Sequence, residues 1–223
     1  MNSSTVSVIV PTYNESESIP HFIKRLVKCL DDFELIIIDD SPDDGTDFTA
    51  RAVCEGLKLN YRIVRRKERG KGSAVREGLR LAKGEQIVII DADLEYPPEE
   101  IKPMLKKLGH ADVVLSYRIR KDPVLRRVAS KLFRILTRIV LQLPFDTQSG
   151  LKVINQKAKE VDYQINGWTW DLEFVFLCKK KGLKITSHNV PFSTRPLGKT
   201  KVRTIHNAIE NFVDLLRVRF RYL

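Results

Sequence analysis

Cysteine is scarce in this chain of 223 residues, which contains only Cys29, Cys54 and Cys178. These three residues are far apart, odd in number and not spaced like the ligands of a metal site. Such usage is typical of a protein from a reducing compartment, and we expect the thiols to be buried.

Long hydrophobic runs are also missing. No apolar run approaches the roughly 18 residues that span a bilayer, and residues 1–5 are short and polar before a strand-like run begins. We therefore expect neither a membrane-spanning helix nor a signal peptide. The sequence contains no repeat, low-complexity tract or linker, and 43% of its residues are hydrophobic. It predicts one domain over residues 1–223.

Acidic residues are outnumbered, since 39 Lys and Arg stand against 28 Asp and Glu, a formal net charge of +11. Nucleic acid, an anionic membrane surface or phosphorylated substrates would each explain this charge, and composition alone does not choose among them. A nucleic-acid-binding protein is expected to interleave base-stacking aromatics with basic residues. No such pattern is present, so we expect no nucleic-acid partner.

Strand-like, β-branched runs alternate with helical patterns along the first half of the chain. The predicted strands there are 6–10, 34–39, 61–64 and 86–90. This alternation indicates an α/β fold with a mostly parallel central sheet and helices on its faces. The second half is less regular. It predicts helices near 97–108, 123–143, 168–180 and from 202 onward, and strands near 111–117, 146–154 and 184–190.

Acidic side chains follow the fourth predicted strand at alternating positions: Asp91, Asp93 and Glu95. In an extended chain, residues two apart point to one side, so these carboxylates would converge. The carboxyl ends of parallel strands are where α/β sheets bind ligands, and the loops 11–15 and 40–46 follow strands in the same way. A hard divalent cation, with phosphate oxygens completing its shell, would explain the crowding. The alternative is a solvated acidic loop.

Several motifs occur in the order seen in family-2 glycosyltransferases. They are "VSVIVPTYNE", "IIIDDSPDDGT", "GKGSAVREGL", "DADLEYPPEE", "DTQSGLK" and "GWTWDLEF". Together they span nearly the whole chain, which most closely resembles the polyprenyl-phosphate branch, including the dolichol-phosphate mannose synthases. The resemblance implies the Rossmann-like GT-A fold, an α/β/α sandwich. It also implies inverting transfer of a hexose from a nucleotide sugar to a lipid phosphate.

The same resemblance implies roles for individual residues. The nucleotide sugar would be bound by Pro11, Tyr13, Glu15, Asp40, Lys71 and Asp91. Of these, Asp40 would contact the base or ribose, and Lys71 would lie beside the base. Mg²⁺ or Mn²⁺ would be held by Asp91, Asp93 and Glu95, although mannose synthases often have glutamine at the position of Glu95. The catalytic residues would be Asp91, Asp93, Asp171, Arg195 and Lys201. Several of these assignments have plain alternatives: packing for Tyr13, solvation for Lys71 and a helix N-terminal acid for Asp171. For Arg195 and Lys201 the alternative is a solvated basic loop.

The acceptor implied by the resemblance is a phosphate monoester. Its second pKa is about 6, so it is mostly dianionic at neutral pH and needs cations more than a general base. The residues that match the family around this phosphate are Arg118, Arg126, Ser130 and Arg195. We therefore expect residues 1–116 to bind the nucleotide sugar and residues 117–223 to bind the acceptor.

Two helical segments in the second half are amphipathic. Residues 124–143 carry an apolar stripe opposite a basic face, and the final segment repeats this theme. Basic amphipathic helices of this kind lie in membrane interfaces, although both stripes are also compatible with packing on the core. We expect a peripheral protein on the cytoplasmic face of a membrane, with a small membrane-anchoring protein as a possible partner.

The sequence does not favour two other enzyme classes. A processive polysaccharide synthase typically carries a late Gln-x-x-Arg-Trp motif, which is absent here. A sugar nucleotidyltransferase has its glycine-rich signature near the N-terminus, where this chain has "PTYNE". The donor is less certain than the reaction. GDP-mannose is favoured, UDP-glucose is the alternative, and a non-lipid acceptor remains open.

Overall fold

A computed structural model of the chain describes residues 6–43, 45–120, 124–193 and 204–222, without the side chains of 120–132 and 204–210. The strands are β1 Val6–Thr12, β2 Phe33–Asp39, β3 Tyr61–Arg65, β4 Gln86–Ile90, β5 Val113–Arg120, β6 Leu151–Asn155 and β7 Ile185–Phe192. The helices are α1 Ile19–Cys29, α2 Gly45–Gly56, α3 Lys71–Leu81, α4 Ile101–Leu108, α5 Val124–Leu141, α6 Gln156–Lys159, α7 Trp170–Lys180 and α8 Thr204–Tyr222.

The strands form one seven-stranded sheet in the order β3-β2-β1-β4-β6-β5-β7. Strand β4 lies at its centre, and the prediction of a mostly parallel sheet is confirmed. Strand β6, however, runs antiparallel to both β4 and β5. The sequence did not show this reversal, because a short buried strand reads the same in either direction.

Side chains of each central strand alternate between two cores, one on each face of the sheet. Val8 and Val10 belong to one core, whereas Ile9 belongs to the other. Buried residues of α1 and α4 join the first core, and those of α3, α7 and α8 join the second. The expected α/β/α sandwich is confirmed.

Chain segments from both halves meet at one edge of the sheet. Strands β1, β2 and β4 are parallel, so their carboxyl ends lie together. Because β6 is antiparallel and Ile90 pairs with Leu151, the residues before Leu151 reach the same edge. The backbone N–H of Ser193, after β7, also donates to the carbonyl oxygen of Glu95 at 3.2 Å. The predicted gathering of functional loops is therefore confirmed.

Helix α4 starts later than the sequence pattern indicated. A 3₁₀ turn, Pro98–Glu100, precedes it, because proline supplies the fixed φ of a first turn but no amide donor. The three cysteines are free and buried, as expected. Among the described helices, none is both long and apolar enough to cross a membrane.

Helices α5 and α8 each have a buried side and an exposed apolar side. On α5, Leu141 is buried while Ile139 is 71% exposed. On α8, Leu215 and Val218 are buried while Phe220 is 82% exposed. One set of apolar residues on these helices thus packs on the core and another faces outward. The predicted contact with a membrane interface stays a prediction.

Replacing Phe22 by alanine should destabilise the fold, because this α1 side chain is fully buried in the first core. The expected loss is about 3–5 kcal/mol. Phe48 on α2 is 72% exposed, so Phe48→Ala should change stability by less than about 0.5 kcal/mol. Urea unfolding of both variants measures the difference. Equal losses would contradict the assignment of the core.

Candidate active site

The acidic segment after β4 is a turn. The strand ends at Ile90, and Leu94 has a φ of 62°. The expectation that an extended chain aligns Asp91, Asp93 and Glu95 is therefore wrong in its backbone geometry. The three acids nevertheless remain near one another, since the charges of Asp91 and Glu95 both act on Asp93. All three are partly exposed, whereas Ala92 and Leu94 between them are buried. Convergence of their carboxylates on one point stays a prediction.

Asp93 is the most perturbed member of this segment. Burial, together with the charges of Asp91 and Glu95, raises the pKa of Asp93 to about 7. Its carboxylate accepts one backbone hydrogen bond, from the N–H of Glu95 at 3.1 Å. Negative charge is thus concentrated where water screens it poorly, and a cation at this place would be favoured.

Lys71 partly balances that charge. It is the first residue of α3, and its Nζ donates to the Asp91 carboxylate at 2.7 Å. Burial alone would lower the pKa of Lys71, but Asp91 more than offsets this and the pKa is raised. The ammonium also lies 5.3 Å from the centroid of the Trp168 ring. Lys71 therefore lies at the acid cluster, and its predicted place beside the base stays a prediction.

The donor atoms of Asp91, Asp93 and Glu95 fit a hard divalent cation, because all are carboxylate oxygens. Within the described part of the chain, no three Asp, Glu, His or Cys side chains are grouped so that they could hold a metal ion. Magnesium sites commonly combine one or two carboxylates with substrate phosphates and water. The raised pKa of Asp93 is the feature of this structure that matches such a cation.

The end of β1 and the loop after it carry three predicted nucleotide-pocket residues. Pro11 lies within β1, and the guanidinium of Arg69 stacks 3.9 Å from the centroid of the Tyr13 ring. Glu15 is buried and its carboxylate accepts a hydrogen bond from Ser18 Oγ at 2.6 Å. Because β1 and β4 are parallel, the end of β1 and the loop after it lie at the same edge of the sheet as the acids.

A buried carboxylate that sequence reasoning missed joins the first two loops. Asp39 Oδ1 accepts hydrogen bonds from Thr12 Oγ1 at 2.9 Å and from Ser41 Oγ at 2.6 Å. Ser41 Oγ in turn accepts from the N–H of Asn14 at 2.8 Å. Burial raises the pKa of Asp39, although the hydrogen bonds from Ser41 and Thr12 oppose the rise. Asp39 therefore holds the β1 and β2 loops together.

Asp40 holds the turn that starts α3. Both of its carboxylate oxygens accept from Arg66, at 2.8 and 2.7 Å, and Oδ2 also accepts from the N–H of Gly70 at 2.9 Å. The structure thus gives Asp40 a local role in shaping the turn. Its predicted contact with base or ribose is not tested by these contacts.

Asp171 lies in the first turn of α7 and forms a buried pair with Lys152. Lys152 Nζ is 3.3 Å from Asp171 Oδ2 and also donates to the carbonyl oxygen of Ser149. Burial raises the pKa of Asp171, and Lys152 opposes that rise. Asp171 Oδ1 has no hydrogen-bond partner among the described atoms, which leaves one oxygen of this predicted catalytic acid unsatisfied.

Arg118 is held in place by a residue from another segment. Its guanidinium donates twice to Asp146, at 3.2 and 3.0 Å, and lies 5.8 Å from the centroid of the Phe192 ring. Arg126 and Ser130 are on α5, but their side chains lie outside the described residues, as do Arg195 and Lys201 altogether.

Sequence reasoning missed Asp39 and the partners of three predicted residues, namely Arg66, Asp146 and Lys152. A signal for two of them was present, because Asp146 and Lys152 both lie in the motif "DTQSGLK". Pairing them with Arg118 and Asp171 requires the antiparallel register of β6. No local pattern gave that register.

Comparisons with known proteins agree with this geometry. The profile of Glycosyl transferase family 2 matches residues 7–160. The chain is 32% identical to a dolichol-phosphate mannosyltransferase of Mycosarcoma maydis, over 98% of this chain and 81% of that protein. It is 28% identical to a dolichyl-phosphate beta-glucosyltransferase of Dictyostelium discoideum, over 98% of this chain and 75% of that protein.

A solved structure with the same fold is glucosyl-3-phosphoglycerate synthase from Mycobacterium tuberculosis, crystallised with Mn²⁺, UDP-glucose and phosphoglyceric acid. It superposes with a TM-score of 0.74 at 22% identity, covering 97% of this chain and 80% of that one. At this identity the likeness shows the fold, GT-A, and no more.

The profile match covers more than half of the chain, and the Mycosarcoma relative matches most of both proteins. The chain therefore belongs to glycosyltransferase family 2, in its branch of dolichol-phosphate and polyprenyl-phosphate sugar transferases.

Proposed function

We propose that this protein transfers a hexose from a nucleotide sugar to a dolichyl or polyprenyl phosphate, with inversion at the sugar carbon. We also propose one domain, in which residues 1–116 bind the donor and residues 117–223 bind the acceptor. The observation that carries the proposal is the crowding of Asp91, Asp93 and Glu95 at the carboxyl end of β4. A diphosphate held through a cation fits this place.

GDP-mannose is the favoured donor. The Mycosarcoma mannosyltransferase supports it, as do Arg126 and Ser130, which match residues of the mannose synthases. UDP-glucose is the alternative, supported by the motif "DTQSGLK" and by the Dictyostelium glucosyltransferase.

The proposed cofactor is Mg²⁺ or Mn²⁺, held by Asp91, Asp93 and Glu95. When bound, such a cation stabilises the charge that develops on the departing nucleotide diphosphate. The Mn²⁺ in the solved synthase of the same fold supports the choice of a divalent cation. Lys71, already at the Asp91 carboxylate, would add a second positive charge beside the diphosphate.

On the acceptor side, a phosphate oxygen attacks the sugar carbon while the bond from that carbon to the diphosphate breaks. No proton has to be removed, because the phosphate is mostly dianionic at neutral pH. Arg118 is fixed by Asp146 at the edge where such an anion would bind. We propose Arg126, Ser130 and Arg195 as its companions, Lys201 at the diphosphate, and Asp171 as the acid that orients the sugar or Lys201.

A donor panel tests the reaction. The full chain is incubated with GDP-mannose or UDP-glucose, a short polyprenyl phosphate, and Mg²⁺ or Mn²⁺. We expect lipid-phosphate-mannose to form, and its formation to stop when the metal is chelated. Faster turnover of UDP-glucose would reverse the donor assignment. Transfer to phosphoglycerate but not to the lipid would contradict the proposed acceptor.

Asp93→Asn should reduce transfer by at least about 100-fold, because it removes a proposed metal ligand at the leaving group. The matched control is Asp32→Asn, an exposed acid at the opposite end of the sheet, before β2, which should keep normal turnover. Circular dichroism checks that both variants fold. Turnover near the wild-type rate in Asp93→Asn would remove this residue from the metal site.

We further propose that the protein works on the cytoplasmic face of a membrane, where its acceptor lies, with a small membrane protein as a possible anchor. The support is the exposed apolar side of α5 and α8, which includes Ile135, Ile139, Phe212 and Phe220. Arginines accompany these residues on both helices, for example Arg138 and Arg219. Apolar side chains flanked by arginine suit an anionic lipid surface.

A double variant, Ile139→Asn with Phe220→Asn, should bind vesicles containing an anionic lipid at least about 10-fold more weakly. Burying such side chains is worth about 1.5–3 kcal/mol each, and neither supports the core. Phe48→Asn, on the distant helix α2, is the control for loss of an exposed phenylalanine. Cosedimentation with vesicles gives the partition coefficients. Equal binding by all three proteins would place the membrane surface elsewhere.

A further inference from the structure

The end of α8 is tied to the interior of the protein through one fully buried carboxylate. Glu173, on α7, has no exposed surface. Its Oε1 accepts from Tyr222 Oη at 2.7 Å and from Arg221 Nη1 at 3.3 Å. Its Oε2 accepts the backbone N–H groups of Gln164 and Ile165, at 2.8 and 2.6 Å. One side chain thus joins the C-terminal helix to the segment 163–168.

The segment 163–168 in turn supports the start of α3. The carbonyl oxygen of Asn166 accepts from the N–H of Gly72 at 2.8 Å and of Ser73 at 3.3 Å. On the other side, Tyr163 Oη donates to the Gly72 carbonyl at 2.7 Å. The approach is close enough that a Cβ on Gly72 would overlap the carbonyl oxygen of Ile165. The position of this segment therefore determines where α3 begins.

The start of α3 carries the donor side of the site. Lys71 is the residue before Gly72, and its ammonium contacts both Asp91 and the Trp168 ring. A shift of the segment 163–168 would move Lys71 relative to the Asp91 carboxylate. The hydroxyl of Tyr222 is therefore connected to Lys71 through three successive sets of contacts, without itself touching the site.

A second contact, made by Asp214, also joins α8 to this region. Asp214, also on α8, accepts a hydrogen bond from Thr169 Oγ1 and pairs with Arg217 at 2.9 Å. Thr169 lies between the two tryptophans of the chain, Trp168 and Trp170. Two buried acids thus fix α8 to the stretch that also contains Trp168. One such contact would be enough to pack α8 on the core, whereas two contacts fix its position along the residues around Trp168.

We infer that Tyr222 and Glu173 are positioning residues for the nucleoside diphosphate: they hold the segment 163–168, and through it Lys71, in the geometry that binds the donor. The inference rests on the proposed function, because Lys71 is assigned to the donor there. It extends that function by making the C-terminal end of α8 a support of the donor site. A role confined to stability would affect donor and acceptor binding alike.

The test is Tyr222→Phe, which removes the hydroxyl but keeps the ring against Phe176. Full-length protein is titrated with GDP and with UDP in the presence of Mg²⁺, read by tryptophan fluorescence, since both tryptophans lie in this stretch. We expect the Kd of the nucleotide that wild type binds, and the KM of the sugar donor, to rise about 3- to 10-fold, the range for one lost hydrogen bond. The acceptor KM should stay within about twofold.

Glu173→Gln provides the second variant, and it keeps the shape of the side chain. It loses the charge that strengthens the hold on two backbone N–H groups, so the Kd should rise in the same direction. The matched control is Lys180→Met, which removes a contact to the Tyr222 backbone carbonyl but leaves the hydroxyl bonded to Glu173. It should bind nucleotide like the wild type.

The possible results distinguish a failure of the proposed function from a failure of the positioning role. Wild-type protein that binds neither GDP nor UDP would overturn the proposed function and the positioning role with it. Wild-type binding combined with an unchanged Kd in both Tyr222→Phe and Glu173→Gln would overturn the positioning role alone. Equal increases of donor and acceptor KM would show a purely structural contact and would also overturn it.

Discussion

The constraint on which the site depends is the cost of placing several carboxylates in a poorly screened cleft. Asp91, Asp93 and Glu95 follow a strand whose side chains are nearly all buried, so their mutual repulsion is stronger than it would be in water. The protein offsets part of this repulsion with Lys71. The raised pKa of Asp93, about 7, indicates that the compensation is incomplete, and a bound cation would complete it.

Three neighbouring acids differ from these, because each forms an ion pair with an arginine or lysine side chain. Arg66 pairs with Asp40, Lys152 with Asp171, and Arg118 with Asp146. All three pairs have little exposure, and pairing is what makes burial of such charges tolerable. They also fix side chains from distant segments relative to one another. Asp93 differs from these three, because burial and two anionic neighbours raise its pKa to about 7. The electrostatic demand for a cation is therefore evident at the acids after β4.

Much of this fold followed from the sequence because its parallel strands are continuous apolar runs with acids at their ends. The position of β4 and the meeting of its loop with those of β1 and β2 required no further information. The partners Asp146 and Lys152 did not follow, because they depend on the antiparallel register of β6. The same is true of Tyr222, which reaches Glu173 across 49 residues. Such long-range pairs leave no periodic signal.

Glu95 distinguishes this chain from the mannose synthases that carry glutamine at the matching position, and the structure indicates what the difference does. Burial is the largest cause of the raised pKa of Asp93, and Glu95 is one of two anionic neighbours that add to it. A neutral amide would remove one of those charges. With glutamate, ionisation of Asp93 meets one more negative charge, and a bound cation would gain one more negative neighbour. We therefore expect the charge of residue 95 to tune the affinity of this site for a cation, whichever hexose is transferred.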